Sequence, residues 1–147
     1  MTPPAEDALK IFRAALAAAD PRAAVLRHLH FDGARLRVDP AGSLPLARDA
    51  RVFVVGAGKA GAAMTHGVEE RLAERIARGL VVTKDGHRPF GTRRVEMREA
   101  SHPLPDARGL AAGQTIAQLV GGLTQNDVVL CLISGGGSAL LEWLTDG

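Results

Sequence analysis

The sequence contains a single cysteine, Cys131, so it cannot form an internal disulfide. The residues on either side of it, Leu130 and Leu132, are apolar, and we expect Cys131 to lie on a buried strand. This cysteine usage is typical of a reducing compartment, which predicts a cytoplasmic protein.

Long apolar runs are also missing. No window reaches the roughly 18 consecutive apolar residues that a membrane-spanning helix needs. The first ten residues carry Glu6 and Asp7 ahead of any apolar run, so we expect no signal peptide. Basic and acidic residues nearly balance, 18 against 16, and the basic ones are scattered. We therefore expect neither a membrane nor a nucleic acid as partner.

The sequence also lacks a cluster of residues that could bind a metal. His28 and His30 are two residues apart on a predicted helix and face different directions, and His66 lies inside another helix. With only one cysteine in the chain, we expect no protein-built zinc site.

The remaining composition is that of an ordinary globular protein. The 147 residues, 46% of them hydrophobic and 23% charged, suffice for one domain or for a piece of a larger one. Residues 1–32 predict a helical lead-in, with an apolar face through Leu9, Phe12 and Leu16. Asp20 and Pro21 then predict the start of a second, short helix. A short strand is expected around Leu36 and Val38.

Strands and helices alternate after residue 50. The predicted strands are 52–55, 80–83, 95–99 and 128–133, and the predicted helices are 59–78, 106–120 and one from 139 to 144. Continuous apolar runs are typical of parallel strands that are buried on both faces. The pattern predicts an α/β fold with a mostly parallel sheet and helices on both faces, whose ligands bind beyond the carboxyl ends of the strands.

A first glycine-rich loop, residues 56–61, matches G-x-G-x-x-G between a buried strand and a helix. Such a loop can bind an anion at the helix N-terminus, and Asp85 stands roughly where a dinucleotide-binding fold places its ribose acid. These two features favour a nicotinamide-dependent reductase. Lys59 instead favours a transferring or terminal phosphate. A tight turn with an exposed lysine is the third interpretation of this loop.

A second glycine-rich loop follows the last predicted strand. Three consecutive glycines, 135–137, lie between Ser134 and Ser138. Because so permissive a backbone is entropically costly to order, we interpret this loop as functional. His102, in a proline-rich loop after the third strand, and Lys84, after the second strand, are expected at the same rim of the sheet.

Four ordered motifs resemble the class II glycerate kinases, a family often named hydroxypyruvate reductases, whose C-terminal half is called the MOFRL domain. The motifs are 54–60 (VVGAGKA), 81–87 (VVTKDGH), 101–106 (SHPLPD) and 133–140 (ISGGGSAL). The resemblance implies a Rossmann-like N-terminal domain, with ATP and glycerate meeting in a cleft against a second α/β domain. It implies ATP-dependent, Mg²⁺-requiring phosphorylation of glycerate, with 2-phosphoglycerate as the favoured product.

The resemblance also assigns roles to residues. Lys59 would be the catalytic lysine that steadies the transferring phosphoryl group. His102 and Lys84 are further binding candidates, because their loops share the predicted rim. Substrate or phosphate oxygens would be held by the glycine-rich loops, through Gly56, Gly58, Ser134, Gly135, Gly136, Gly137 and Ser138.

The sequence departs from this family in two ways. Asp85 stands where family members often carry tyrosine. The chain is also short: residues 1–147, with 34–147 forming the Rossmann-like units, would be a truncated N-terminal domain without the MOFRL-type domain. We expect such a fragment to be inactive alone and to self-associate as a homo-oligomer through Leu140, Leu141 and Leu144. A hydroxypyruvate reductase and a non-catalytic nucleotide or sugar-phosphate binding module remain the alternatives.

Overall fold

A computed structural model describes residues 3–87 and 91–143. These described residues form two sheets and five α-helices. They are α1 (Pro3–Ala18), α2 (Pro21–His28), β1 (Leu29–Phe31), β2 (Arg35–Val38), β3 (Gly42–Pro45), β4 (Val52–Ala57), α3 (Gly61–Leu72), β5 (Ile76–Lys84), β6 (Val95–Ala100), α4 (Ala107–Gly121), β7 (Val128–Ile133) and α5 (Gly137–Leu140). Among the described residues, no helix is both long and apolar enough to cross a membrane.

The larger sheet has the strand order β6-β5-β4-β7, and every pair in it is parallel. All six residues of the central strand β4 are buried, as the continuous apolar run predicts. Helix α3 packs on one face through Val68 and Leu72, while α4 and α5 cover the other through Ala112 and Leu140. The predicted α/β fold with a parallel sheet and helices on both faces is confirmed.

The helical lead-in is confirmed as two helices. The side chain of Asp20 accepts a hydrogen bond from the backbone N–H of Ala23 and so caps α2, with Pro21 at its start. The predicted strand at residues 36–38 is the middle strand of a three-stranded antiparallel sheet. Its neighbours β1 and β3 were not predicted, and His30 lies in β1 rather than on a helix.

The predicted helix over 59–78 is too long. Helix α3 ends at Leu72, a single 3₁₀ turn spans Ala73–Arg75, and β5 begins at Ile76, four residues before the predicted start. Ala73 adopts a φ of 41°, which a right-handed α-helix does not accommodate, so α3 cannot continue through it. Ile76 is fully buried and pairs with Val52, so the tertiary pairing overrides the local helical pattern.

Two predictions about burial are wrong. Cys131 is exposed, because β7 is the edge strand of the described sheet and the side chains of Cys131 and Ile133 point to its less covered face. Leu140 is completely buried, because α5 packs against the sheet and α4. The predicted helix over 139–144 instead spans Gly137–Leu140, and Leu144 lies outside the described residues. Self-association stays a prediction.

Candidate active site

The carboxyl ends of the four parallel strands lie at one edge of the larger sheet. The loop carrying Lys59 follows β4, Lys84 ends β5, the loop carrying His102 follows β6, and the loop of residues 134–138 follows β7. The strand order sets the Lys84 loop between the Lys59 and His102 loops. The predicted site residues therefore share one rim.

The two glycine-rich loops bind each other directly. The backbone N–H of Ser134 donates to the carbonyl of Ala57 at 3.2 Å, and the Ser134 hydroxyl accepts from the N–H of Ala60 at 3.0 Å. The N–H of Lys59 donates to the carbonyl of Gly135 at 3.0 Å. We call these three hydrogen bonds the loop latch. They fix the backbone from which the Lys59 side chain extends.

Glycine is required where the loops touch. Gly58 has a φ of 139°, and a Cβ atom placed on it would lie 2.1 Å from the Oγ of Ser134. A Cβ on Gly56 would lie 2.1 Å from the carbonyl oxygen of Leu132 on the neighbouring strand. The first two glycines of the G-x-G-x-x-G pattern thus permit close contact between chain segments.

The loop latch disfavours the interpretation of the first loop as a dinucleotide-binding loop. Four consecutive backbone amides there already donate hydrogen bonds: those of Gly58 and Gly61 to Val82 and Gly58 carbonyls, and those of Lys59 and Ala60 within the loop latch. These are the amides with which such a loop would hold a pyrophosphate. The first loop therefore supplies a lysine side chain rather than a row of free amides.

Asp85, the second feature that favoured a reductase, also has protein partners. Its carboxylate oxygens accept hydrogen bonds from Nη1 and Nη2 of Arg108 at 2.7 and 2.8 Å. The Arg108 guanidinium holds the pKa of Asp85 below its ordinary value. Both carboxylate oxygens are engaged by this fork, which disfavours a ribose-binding role.

Lys59 and His102 meet over Gly136. A Cβ placed on Gly136 would lie 3.0 Å from Nε2 of His102 and 3.3 Å from Cε of Lys59. Lys59 is exposed, and within the described residues its ammonium group has no carboxylate partner. A cation and an imidazole thus flank the backbone of the second loop. This convergence could hold a multiply charged oxyanion.

The second loop retains donors of its own. Across residues 3–87 and 91–143, the amides of Gly135 and Gly136 have no hydrogen-bond acceptor, and Ser138 is exposed. Beside them opens a cleft of about 460 Å³. Its lining combines the polar second loop with apolar side chains, namely Val55, Ala57, Ile133 and Leu141.

Lys84 is partly buried at the end of β5, opposite Ala100 in the register. In the part of the chain that the structure describes, no hydrogen bond joins its side chain to Lys59 or His102. Sequence reasoning also missed Arg108, which is placed two residues after the helix cap Asp106. The sequence signal that could have indicated Arg108 is its position two residues after the predicted cap Asp106, on the predicted rim.

The described residues do not fit a magnesium ion at this rim. They include no group of three His, Cys, Asp or Glu side chains that could hold a metal. Asp85 and Asp106 both face Arg108, and Glu99 accepts a hydrogen bond from the amide of Gly86. Magnesium binds through several oxygen ligands, and no cluster of carboxylates among the described residues supplies them.

Comparison with known proteins assigns the chain to a family. A family model described as a domain of unknown function, DUF4147, matches residues 7–147. The chain belongs to the DUF4147 family. Relatives that the chain matches are named glycerate kinases. The four sequence motifs resemble the same family.

The curated relatives span several organisms. The chain is 40% identical over 105 residues to a D-glycerate 2-kinase of Thermotoga maritima, which covers 71% of the chain and 25% of that protein. It is 32% identical over 142 residues to a glycerate 2-kinase of Pyrococcus horikoshii, covering 97% of the chain and 31% of that protein. A 43% identical protein of Agrobacterium vitis, covering 90% of the chain and 26% of that protein, carries the provisional name hydroxypyruvate reductase.

Solved structures agree with this DUF4147 assignment. A crystal structure of a Pyrococcus horikoshii protein superposes with a TM-score of 0.86 at 31% identity, covering all of the chain and 32% of that protein. The crystal structure of a glycerate kinase from Thermotoga maritima superposes with a TM-score of 0.73 at 34% identity, and the match covers 91% of the chain and 29% of that protein. The chain therefore spans about a quarter to a third of the length of the proteins it matches.

Proposed function

We propose that this chain forms the phosphoryl-holding part of an ATP-dependent glycerate kinase. The observation that carries the proposal is the convergence of Lys59, His102 and the second glycine-rich loop around Gly136. The names of the relatives supply the substrate class, a small hydroxy acid. The reaction moves the terminal phosphoryl group of ATP to a hydroxyl oxygen of glycerate, with loss of the hydroxyl proton and release of ADP.

In this proposal Lys59 supplies the electrostatic contribution. Phosphoryl transfer passes through a loose transition state whose negative charge is spread over the equatorial oxygens. A cation and backbone amides that are already fixed in place stabilise that charge without reorganising during the reaction. The loop latch holds the Lys59 backbone, while the amides of Gly135 and Gly136 and the hydroxyl of Ser138 would bind phosphate or carboxylate oxygens.

The proposal includes ATP and Mg²⁺, but only ATP binding is supported by features of the described residues. The cationic rim and the cleft with one apolar wall suit the phosphates and the uncharged part of a nucleotide. The described residues include no cluster of carboxylates for Mg²⁺, so its ligands would come from the remainder of a native-length protein. Consequently we expect the isolated chain to be inactive as a kinase. We favour 2-phosphoglycerate as the product, and a cytoplasmic protein, in line with its unpaired thiol.

A matched pair of lysine variants tests the proposal in the native-length protein. Lys59→Ala should lower kcat for phosphorylation of D-glycerate by about 100-fold or more, because it removes charge stabilisation in the transition state. The melting temperature should stay near that of the unmodified protein, since Lys59 is exposed. Lys10→Ala, on the exposed surface of α1, is the control. Equal kcat values for the two variants would remove Lys59 from the mechanism.

A further inference from the structure

A three-residue ion cluster lies at the same rim as the proposed site. Besides its bidentate contact with Asp85, Arg108 donates from Nε to Asp106 at 2.8 Å, and its Nη2 lies 2.7 Å from the same carboxylate oxygen. Asp106 in turn caps α4 by accepting from the amides of Arg108 and Gly109. We call Asp85, Asp106 and Arg108 the rim clamp.

The rim clamp connects the two loops that carry candidate site residues. Asp85 directly follows Lys84 at the end of β5, and the Asp85 amide donates to the carbonyl of Ala100 at the end of β6. Asp106 closes the segment of residues 101–106, which carries His102. One end of that segment is therefore fixed by the sheet and the other by Arg108.

The position of His102 depends on this segment. Its ring lies against the backbone of Gly136, where a Cβ would come within 2.9 Å of Cδ2. Across the described residues, the His102 ring makes no hydrogen bond of its own to the protein. Its placement therefore follows from the backbone of its loop, which the rim clamp and the sheet restrain.

The geometry points to Arg108 as a positioning residue: through Asp85 and Asp106 it holds the His102 loop against the Lys84 loop, so that His102 stays beside Lys59. This inference rests on the proposed kinase site. Within residues 3–87 and 91–143, no hydrogen bond or ion pair joins Arg108, Asp85 or Asp106 to Lys59 or Gly136, so the rim clamp acts through the loops. Arg108 and Asp85 are half exposed, so solvent screens their ion pair, and the melting temperature of each variant separates a positioning effect from a loss of stability.

A matched control lies at the other end of the parallel strands, where their amino ends meet. Arg51 forms the same kind of fork with Asp127, with distances of 2.9 and 2.6 Å, before the amino ends of β4 and β7. Arg51→Ala therefore removes a bidentate arginine–aspartate pair without approaching the site. Asp106 is left unchanged, because its loss would also remove the cap of α4.

The experiment compares Arg108→Ala, Asp85→Ala, their double variant and Arg51→Ala in the native-length protein. Steady-state phosphorylation of D-glycerate gives kcat and KM, and amide hydrogen exchange reports on residues 101–109. We expect each clamp variant to lower kcat about tenfold, with KM changed less than about threefold, because a misplaced group weakens the transition state more than binding. Exchange in this segment should rise. The double variant should lose no more than the worse single variant.

Arg51→Ala should leave kcat and the exchange of residues 101–109 unchanged. Faster exchange with normal kcat in the clamp variants would overturn the inference, as would reduced kcat with normal exchange. Additive losses in the double variant would also overturn it. If the unmodified protein does not phosphorylate glycerate, the proposed function fails, and the exchange data alone decide whether the rim clamp orders the His102 loop. Unchanged exchange would then overturn it.

Discussion

At the scale of single residues, Gly58 and Ser134 hold the two glycine-rich loops together. The sequence pattern suggested that small residues leave room for a phosphate. In the structure, Gly58 leaves room for Ser134, whose hydroxyl accepts from Ala60 at the start of α3. The Ser134 hydroxyl still has a proton to donate, so a contact with a substrate oxygen stays a prediction.

Gly58→Ala tests the contact between the loops. Its Cβ would lie 2.1 Å from Ser134 Oγ and 2.6 Å from the Ser134 carbonyl oxygen, and alanine tolerates a φ of 139° poorly. We expect the free energy of unfolding to fall by about 2 kcal/mol or more. Urea denaturation measures it.

Gly121→Ala is the matched control for that measurement. Gly121 is the last residue of α4, and a Cβ there would meet no atom within 4 Å. We expect a change of less than about 0.5 kcal/mol. Equal destabilisation by the two variants would contradict the close contact between the two loops.

At the scale of elements, Glu69 links α3 to the sheet. Its carboxylate accepts hydrogen bonds from the backbone amides of Arg93, Arg94 and Val95, with distances between 2.8 and 3.0 Å. The amide of Val95 is the first in β6, and the other two immediately precede the strand. The strand that leads into the His102 loop is thus anchored at its other end by a helix side chain.

Glu69→Ala should therefore destabilise the protein by about 1–2 kcal/mol, because a charged acceptor for three amides is lost. Hydrogen exchange should increase around residues 93–96. The neighbouring substitution Glu70→Ala, which removes an exposed ion pair with Arg22, should cost less than about 1 kcal/mol. A larger loss for Glu70→Ala than for Glu69→Ala would contradict this role.

Sequence reasoning found the core elements but not all of their bounds. The apolar runs at 52–55 and 128–133 predicted strands correctly, because neither contains a competing polar pattern, although only β4 is fully buried. The sequence predicts helix through residues 73–78, since their charged and apolar residues fit a helical period. The pairing of Ile76 with Val52 is a contact between distant segments, which no local pattern contains.

At the scale of the whole molecule, the two edges of the larger sheet differ in chemistry. The carboxyl edge gathers Lys59, Lys84 and His102, as the alternation of strands and helices predicted. The loop latch and the rim clamp were not predictable, because they depend on which loops the strand order makes neighbours. At the amino edge, Arg51 and Asp127 join the starts of β4 and β7.

The Arg51–Asp127 pair predicts a response to acid. The guanidinium of Arg51 and the amide of Thr124 hold the pKa of Asp127 well below its ordinary value. A carboxylate whose pKa is lowered by folding stabilises the fold above its unfolded pKa of about 4, and this contribution is lost as the pH falls below that value. Asp127→Asn should lower the free energy of unfolding at pH 7 and reduce its decline below about pH 4.

Urea unfolding at pH 7 and at about pH 3 measures both effects. Asp7→Asn, on the exposed surface of α1, should leave both values near those of the unmodified protein. A stability difference between Asp127→Asn and the unmodified protein that is the same at the two pH values would contradict the argument.

The central claim is that this rim transfers a phosphoryl group rather than a hydride. The direct test incubates the native-length protein with D-glycerate, Mg-ATP and oxidised NAD together and identifies the product by mass spectrometry. We predict phosphoglycerate, formed with ADP, and about 100-fold slower formation of it when Lys59 is replaced by alanine. Hydroxypyruvate as the product would contradict the account and would return Gly56, Gly58, Gly61 and Asp85 to a dinucleotide site.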